Sequence, residues 1–120
     1  MSEEVTVGPA ETVLKTVFAR AAAATVVCTE PTLLAASVAA LDAVDDETRP
    51  TVRFITPQRV AKQTRDDFVT ATTLVEFEEA ETVELRVVEA ETALEPAVVT
   101  DGAVFCLLQA IPERIVAVRI

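Results

Sequence analysis

Residues 50–90, PTVRFITPQRVAKQTRDDFVTATTLVEFEEAETVELRVVEA, constrain this chain more than any other stretch, because they must run strand, helix, strand. Residues 51–56 are β-branched and aromatic and follow a proline, which is strand grammar. Pro57 stands where a first helical residue belongs, with Thr56 before it as N-cap. Ala61, Thr64, Phe68, Ala71 and Val75 then recur at spacings of three and four, which predicts a core-facing stripe on about five turns of a single helix. Residues 84–88 read as a second strand. Without a tight hairpin between them, the two strands form a βαβ crossover and run parallel.

The flanks follow the same logic. Residues 1–8 read as a frayed lead-in, and Pro9 opens a helix with Val13, Leu14, Val17, Phe18 and Ala21 on one face. Alanines 21–24 lead into a buried strand at 25–28. Thr29-Glu30-Pro31 repeats the threonine-then-proline start, and a second helix places Leu34, Val38 and Leu41 inward before the polar loop 45–49. Further on, residues 97–100 and 103–108 flank Asp101-Gly102, which predicts a hairpin with a two-residue type I′ turn. Ile111-Pro112-Glu113 turns again into a last strand at 114–120. The expected architecture is one α/β domain over residues 1–120. Its mixed sheet has three parallel strands linked by helices, followed by an antiparallel meander. The chain stops in or just after a strand, so we expect a short protein with its last strand tied into the sheet, or part of a longer parent.

Composition narrows the function. No apolar run approaches the ~20 residues of a membrane span, and Met1-Ser2-Glu3-Glu4 is unlike a secretory n-region, so a cytoplasmic protein is expected. Twenty acidic residues face ten basic ones, and Lys15 and Lys62 are the lysines. An acidic, lysine-poor surface over a small-residue core fits a halophilic cytoplasm, where a Debye length of about 3 Å at molar salt screens self-repulsion. The alternative is an ordinary acidic mesophilic domain. A net charge of −10 argues against general DNA binding by this chain, since that needs cations to displace counterions.

Absences exclude most chemistry. There is no histidine, tryptophan or tyrosine, and the two glycines are Gly8 and Gly102. Ser-His-Asp and Cys-His catalysis are excluded, as are the clustered-glycine phosphate loops. Cys28 and Cys106 lie in the apolar runs TVVC and VFCLL, as structural thiols do, and two cysteines without histidine make no zinc site. Asp45-Asp46 and Glu78-Glu79 read as solvated pairs. Asp66-Asp67 falls in the middle of the expected helix, with Asp66 one turn from Lys62 as an ion-pair partner. The chain therefore reads as a non-enzyme without catalytic residues, cofactor or metal.

One positive signal remains. Arg49, Arg53, Arg59, Lys62 and Arg65 fall within 17 positions. Arg59, Lys62 and Arg65 occupy the first half of the expected helix, and Glu76, Glu78 and Glu79 its last turns, opposite to what the helix dipole favours. A local rule broken repeatedly points to a use. The start of that helix follows the carboxyl end of a parallel strand, where α/β folds bind ligands. Thr29, Thr56, Gln58, Arg59 and Lys62 are therefore the candidate ligand-binding residues, for an anionic small molecule. The competing explanation is that the cations balance acidic neighbours.

PTVRFITPQRVAKQTRDDFVTATTLVEFEEAETVELRVVE, VVCTEPTLLAASVAAL and AVVTDGAVFCLL together resemble the amino-terminal domains of haloarchaeal TbsP-type transcriptional regulators. The resemblance spans residues 12–110 and is most specific at PTVR and the DDF segment. It implies a regulatory α/β module related in fold to phospholipase D-like and TrmB-type sensor domains. The phospholipase HxK motif is absent, there being no histidine. In that family a carboxy-terminal winged helix binds DNA, and no winged helix lies within these residues. The resemblance thus implies a non-enzymatic module that senses an anionic metabolite, forms a homodimer, or both, with DNA contacted through a separate domain. The alternative is a standalone interaction protein that pairs with a full-length regulator through an edge strand.

Overall fold

A computed structural model describes residues 5–89, 94–111 and 114–119. Within them the 50–90 unit forms as the spacing predicts: β3 (Thr51–Pro57) and β4 (Val83–Val88) pair in parallel from Val52↔Val83 to Pro57↔Val88. On the other flank of β3, β2 (Ala23–Val27) is also parallel, with Val26 opposite Phe54. The antiparallel meander β5 (Ala97–Thr100), β6 (Val104–Ile111) and β7 (Arg114–Arg119) joins through β5, which runs antiparallel to β2. The full order is β1-β7-β6-β5-β2-β3-β4, one mixed sheet of seven strands among the described residues.

The outermost strand was not legible in the sequence. Residues 5–8, expected as a lead-in, belong to β1 (Val5–Pro9), which pairs antiparallel with β7 from Val5↔Val118 to Pro9↔Arg114. A five-residue segment ending in Gly-Pro has little strand signal of its own. It is the unpaired edge of β7, some hundred positions away in the chain, that supplies its hydrogen bonds.

Alternation then divides the sheet into two faces. Val26, Val52, Phe54, Val98, Phe105, Leu107 and Ala117 are buried on one, beneath the helices. Helix α1 (Ala10–Ala19) contributes Val13, Leu14, Val17 and Phe18, and α2 (Pro31–Ala43) contributes Leu34, Val38 and Leu41, the residues their spacing selected. Phe54 is fully buried, and truncating a phenylalanine so placed costs about 3–5 kcal/mol.

The expected five-turn helix is two helices, α3 (Gln58–Arg65) and α4 (Phe68–Glu79). Asp67 is the reason. Its carboxylate accepts the Thr70 N–H at 3.4 Å and the Thr70 hydroxyl at 3.0 Å, an N-cap that starts α4 afresh. The apolar stripe changes accordingly. Ala61 and Thr64 are buried, but Phe68 is 80% exposed and Val75 50%, while Thr70, Leu74 and Phe77 turn inward. At the start of α3, Pro57 is the N-cap position and still belongs to β3, so Thr56 is a buried strand residue and not a cap.

The β5–β6 hairpin forms, but not on a type I′ turn, because neither Asp101 nor Gly102 has positive φ. Thr100 closes the turn instead. Its N–H donates to the Ala103 carbonyl at 2.8 Å, and its hydroxyl accepts the Ala103 N–H at 3.0 Å. A hydroxyl that takes up turn N–H groups removes the need for a left-handed backbone. Of the expected turn at 111–113, Pro112 and Glu113 lie outside the described residues.

Candidate functional site

The carboxyl ends of β2 and β3 lie side by side, tied by the Cys28 N–H donating to the Ile55 carbonyl at 2.9 Å. From these ends α2 and α3 depart. β1 runs in the same direction as β2 and β3, since three antiparallel pairings separate β1 from β5 and a fourth joins β5 to β2. The amino ends of α1, α2 and α3 therefore open toward one edge of the sheet, and each presents unsatisfied N–H groups there.

Arg59, second residue of α3, bridges this edge. Its Nη2 donates to the Thr29 carbonyl at 2.9 Å and lies 3.7 Å from Glu30 Oε1, with the Arg59 and Glu30 side chains 57% and 52% exposed. The structure thus places Thr29 and Arg59 in direct contact. Gln58 and Lys62 are exposed on α3 beside them, whereas Thr56 is fully buried and its hydroxyl has no hydrogen-bond partner.

The remaining cations have local explanations that sequence spacing did not show. Because α3 ends at Arg65, Lys62 and Arg65 sit in its last turn, where the dipole favours cations. Of the three, Arg59 alone stands at a helix start. The Lys62–Asp66 ion pair does not form. Arg49 closes the end of α2 by donating to the carbonyls of Leu41 and Val44. Arg53 and Arg86 both hold Glu84 through their Nε atoms, at 3.1 and 2.7 Å. The Arg86 hydrogen bond, then that of Arg53, holds the Glu84 carboxyl below its usual range.

Two concavities flank the sheet ends. A small one of about 40 Å³ lies beside the mouth, bounded by Ala10, Thr29, Glu30, Thr32 and Pro96, of which sequence reasoning brought only Thr29 and Glu30 to the site. Three of them begin α1 or precede and begin α2, so helix starts were the signal available. It has room for a few waters and not for a metabolite. A larger groove of about 700 Å³ opens at the opposite ends of the strands, bordered by Glu78, Glu81, Glu84 and Asp101. Four carboxylates against the one guanidinium that also lines it, Arg53, disfavour an anion there.

Both cysteines are free. Burial pushes the Cys28 thiol up to about 12, partly offset by a hydrogen bond with Ser37, so it carries no thiolate at neutral pH. Among the described residues no three His, Cys, Asp or Glu side chains converge as a metal site, and no helix is long and apolar enough to cross a membrane.

Sheet order and helix placement define a mixed α/β module, three parallel strands continued by an antiparallel meander under one layer of helices. The fold is similar to that of TrmBL2, an archaeal chromatin protein whose structure shows a novel mode of DNA binding. The TM-score is 0.56 at 14% identity, over 97% of this chain and 45% of that one. This chain thus spans less than half the length of that relative. The chain belongs to the family of TbsP-like transcriptional regulators, as their N-terminal domain, with the family pattern matching residues 2–118. No curated protein matches the sequence.

Proposed function

We propose that this domain is a non-enzymatic regulatory module of a haloarchaeal transcription regulator. It recognises an anionic metabolite at the mouth formed by Thr29, Gln58, Arg59 and Lys62, and it also self-associates. The carrying observation is Arg59, which stands at a helix start, anchored on the Thr29 carbonyl and with donors to spare. Its contact with Glu30 is long, and both side chains are more than half exposed, so the pair contributes at most about 1 kcal/mol. A charge-assisted hydrogen bond from a guanidinium to phosphate contributes roughly 1.5–3 kcal/mol, enough to displace Glu30. The adjoining cavity is too small to enclose a metabolite, so the ligand lies across the mouth, with its anionic group on Arg59 and the α3 N–H groups. Thr56 lies beneath this surface. Its hydroxyl joins only if the anionic group reaches inward.

DNA contact belongs to a separate domain of the regulator, because a surface with net charge −10 repels phosphates. A chain without histidine or a glycine loop lacks the usual groups for metal-independent phosphodiester hydrolysis, so none is expected, and the cytoplasm is where such a regulator works. The free edge of β4, an outer strand, favours a second reading, in which a full-length regulator adds a strand there.

Calorimetric titration of sugar phosphates and nucleotides tests the anion reading. Arg59→Glu should abolish binding and leave the fold intact, and Arg59→Gln should weaken it by about 1.5–3 kcal/mol. If wild type binds none of the panel, or Arg59→Glu binds equally well, the anion reading is wrong and the edge-strand reading gains.

A further inference from the structure

Among the described residues, the four helices cover one face of the sheet and none lies on the other, in keeping with a slab whose shortest extent is 22 Å. The open face is apolar. Val5 and Val7 on β1, Leu108 and Val104 on β6, and Val99 on β5 are 54%, 61%, 58%, 39% and 43% exposed. Register makes them contiguous. Val7 and Leu108 both pair with Val116, and Val99 pairs with Val104 and with Thr25. The charged side chains on this face, among the described strand residues, are Arg53, Glu84, Arg86 and Arg114, three cations to one anion on a chain of net −10. Two copies that meet here keep the chain's acidic excess outside the contact.

We propose that the open face packs against the same face of a second copy of this chain, valines interleaved with valines, as an isologous dimer. The proposal rests on the self-association included in the function above and names the surface responsible. Five apolar strands at about 4.8 Å spacing make a patch roughly 24 Å wide, on the order of 600–800 Å² of accessible surface. That is about a tenth of the chain's 7210 Å², the usual share for one side of a stable interface. A single helix, about 10 Å across, would leave more than half of that width wet. A twisted sheet face matches a copy of itself at ~30°, and a two-fold axis makes the patch self-complementary. The Arg53–Glu84–Arg86 cluster on β3 and β4 then falls at the rim, as does Arg114 at the first position of β7, where charges stay solvated.

Light scattering after gel filtration in about 2 M KCl, where charge repulsion is screened, should give a dimer mass. Leu108→Lys with Val99→Lys should raise the dimer dissociation constant at least a hundredfold with an unchanged circular dichroism spectrum. Cys106 lies on the same face, paired with Ala97 and Val118, while Cys28 is buried, so a thiol reagent reads Cys106. Its labelling in the wild type should slow as protein concentration rises through the dissociation constant, and this readout decides if the lysine variant loses its fold. A wild type that stays monomeric to about 100 µM overturns both this interface and self-association, leaving the Arg59 reading untouched. A dimer that survives both lysines, or whose Cys106 labels equally fast at every concentration, overturns this face alone.

Discussion

The Arg49 guanidinium lies 5.0 Å from the centre of the Phe77 ring while donating to the Leu41, Asp42 and Val44 carbonyls at 3.0, 3.3 and 2.9 Å. One side chain thus satisfies the open carbonyls at the end of α2 and stacks on α4. Its side chain is 15% exposed, and Asp46 supplies a counter-charge at 2.7 Å. Removing it takes the side-chain donor from the Asp42 and Val44 carbonyls, while Leu41 keeps the Val44 N–H at 3.2 Å. Arg49→Ala should therefore cost about 2–3 kcal/mol of stability in a urea titration. Arg49→Lys should recover little, because an ammonium's three donors share one nitrogen, whereas Arg49 reaches these carbonyls from both Nε and Nη2. A midpoint shift below about 0.5 kcal/mol would show that water replaces the fork at no cost.

Glu81 has φ of 61°, the one described non-glycine residue in the left-handed region. It follows α4, where the Thr82 N–H returns to the Phe77 carbonyl at 2.9 Å and the Glu81 N–H to Glu78 at 3.1 Å. This is the helix ending that favours glycine. Glu81→Gly should stabilise the domain by up to about 1 kcal/mol, read as a higher melting temperature. A lower melting temperature would show that the Glu81 side chain contributes more than its backbone strain costs.

Asp101 fastens the β5–β6 turn to the start of β2, its Oδ1 accepting the Ala22 N–H at 3.1 Å. That bond, with lesser ones from its own and the Ala23 backbone, holds its carboxyl below the usual range. A lowered folded pKa contributes stability above the unfolded value, and this is lost as pH falls through the folded one. Asp101→Asn should therefore be less stable than wild type at neutral pH, with the difference closing in acid. Parallel stability curves down to about pH 2 would show that the carboxylate charge is immaterial.

The Thr56 hydroxyl is buried without a partner, a desolvation cost of about 1–3 kcal/mol. Thr56→Val keeps the shape and suits a strand, so stability should rise by about 1 kcal/mol. Destabilisation would reveal a partner for the hydroxyl in solution. Weakened metabolite binding in the same variant would place that hydroxyl in the recognition site.

Acidic surface charge at −10 repels itself most at low ionic strength. The melting temperature should climb as KCl goes from about 0.1 M to the molar range, where the Debye length falls from ~10 to ~3 Å. A flat or falling response would remove the halophilic part of the functional reading.

Short-range pattern was enough wherever an element's own residues decide its state. The β3–β4 crossover, the inward Leu34, Val38 and Leu41 of α2, and the β5–β6–β7 meander were all readable from β-branching, proline position and 3.6-residue spacing. The neighbourhood of Thr29 and Arg59 was inferable for the same reason, since parallel strands deliver their following helices to one edge. Tertiary structure decided the rest. Val5–Pro9 is a strand because β7 lacks a partner on that side, and no local propensity encodes that vacancy. Asp67 breaks the long helix because its carboxylate finds Thr70, which outweighed an apolar spacing that continued through Phe68. Arg49 stood in the sequence as one of five clustered cations, and spacing could not show the end of α2 lying against it. Its role depends on carbonyls five to eight residues back and a ring 28 residues ahead, a combination that exists only once the chain has packed.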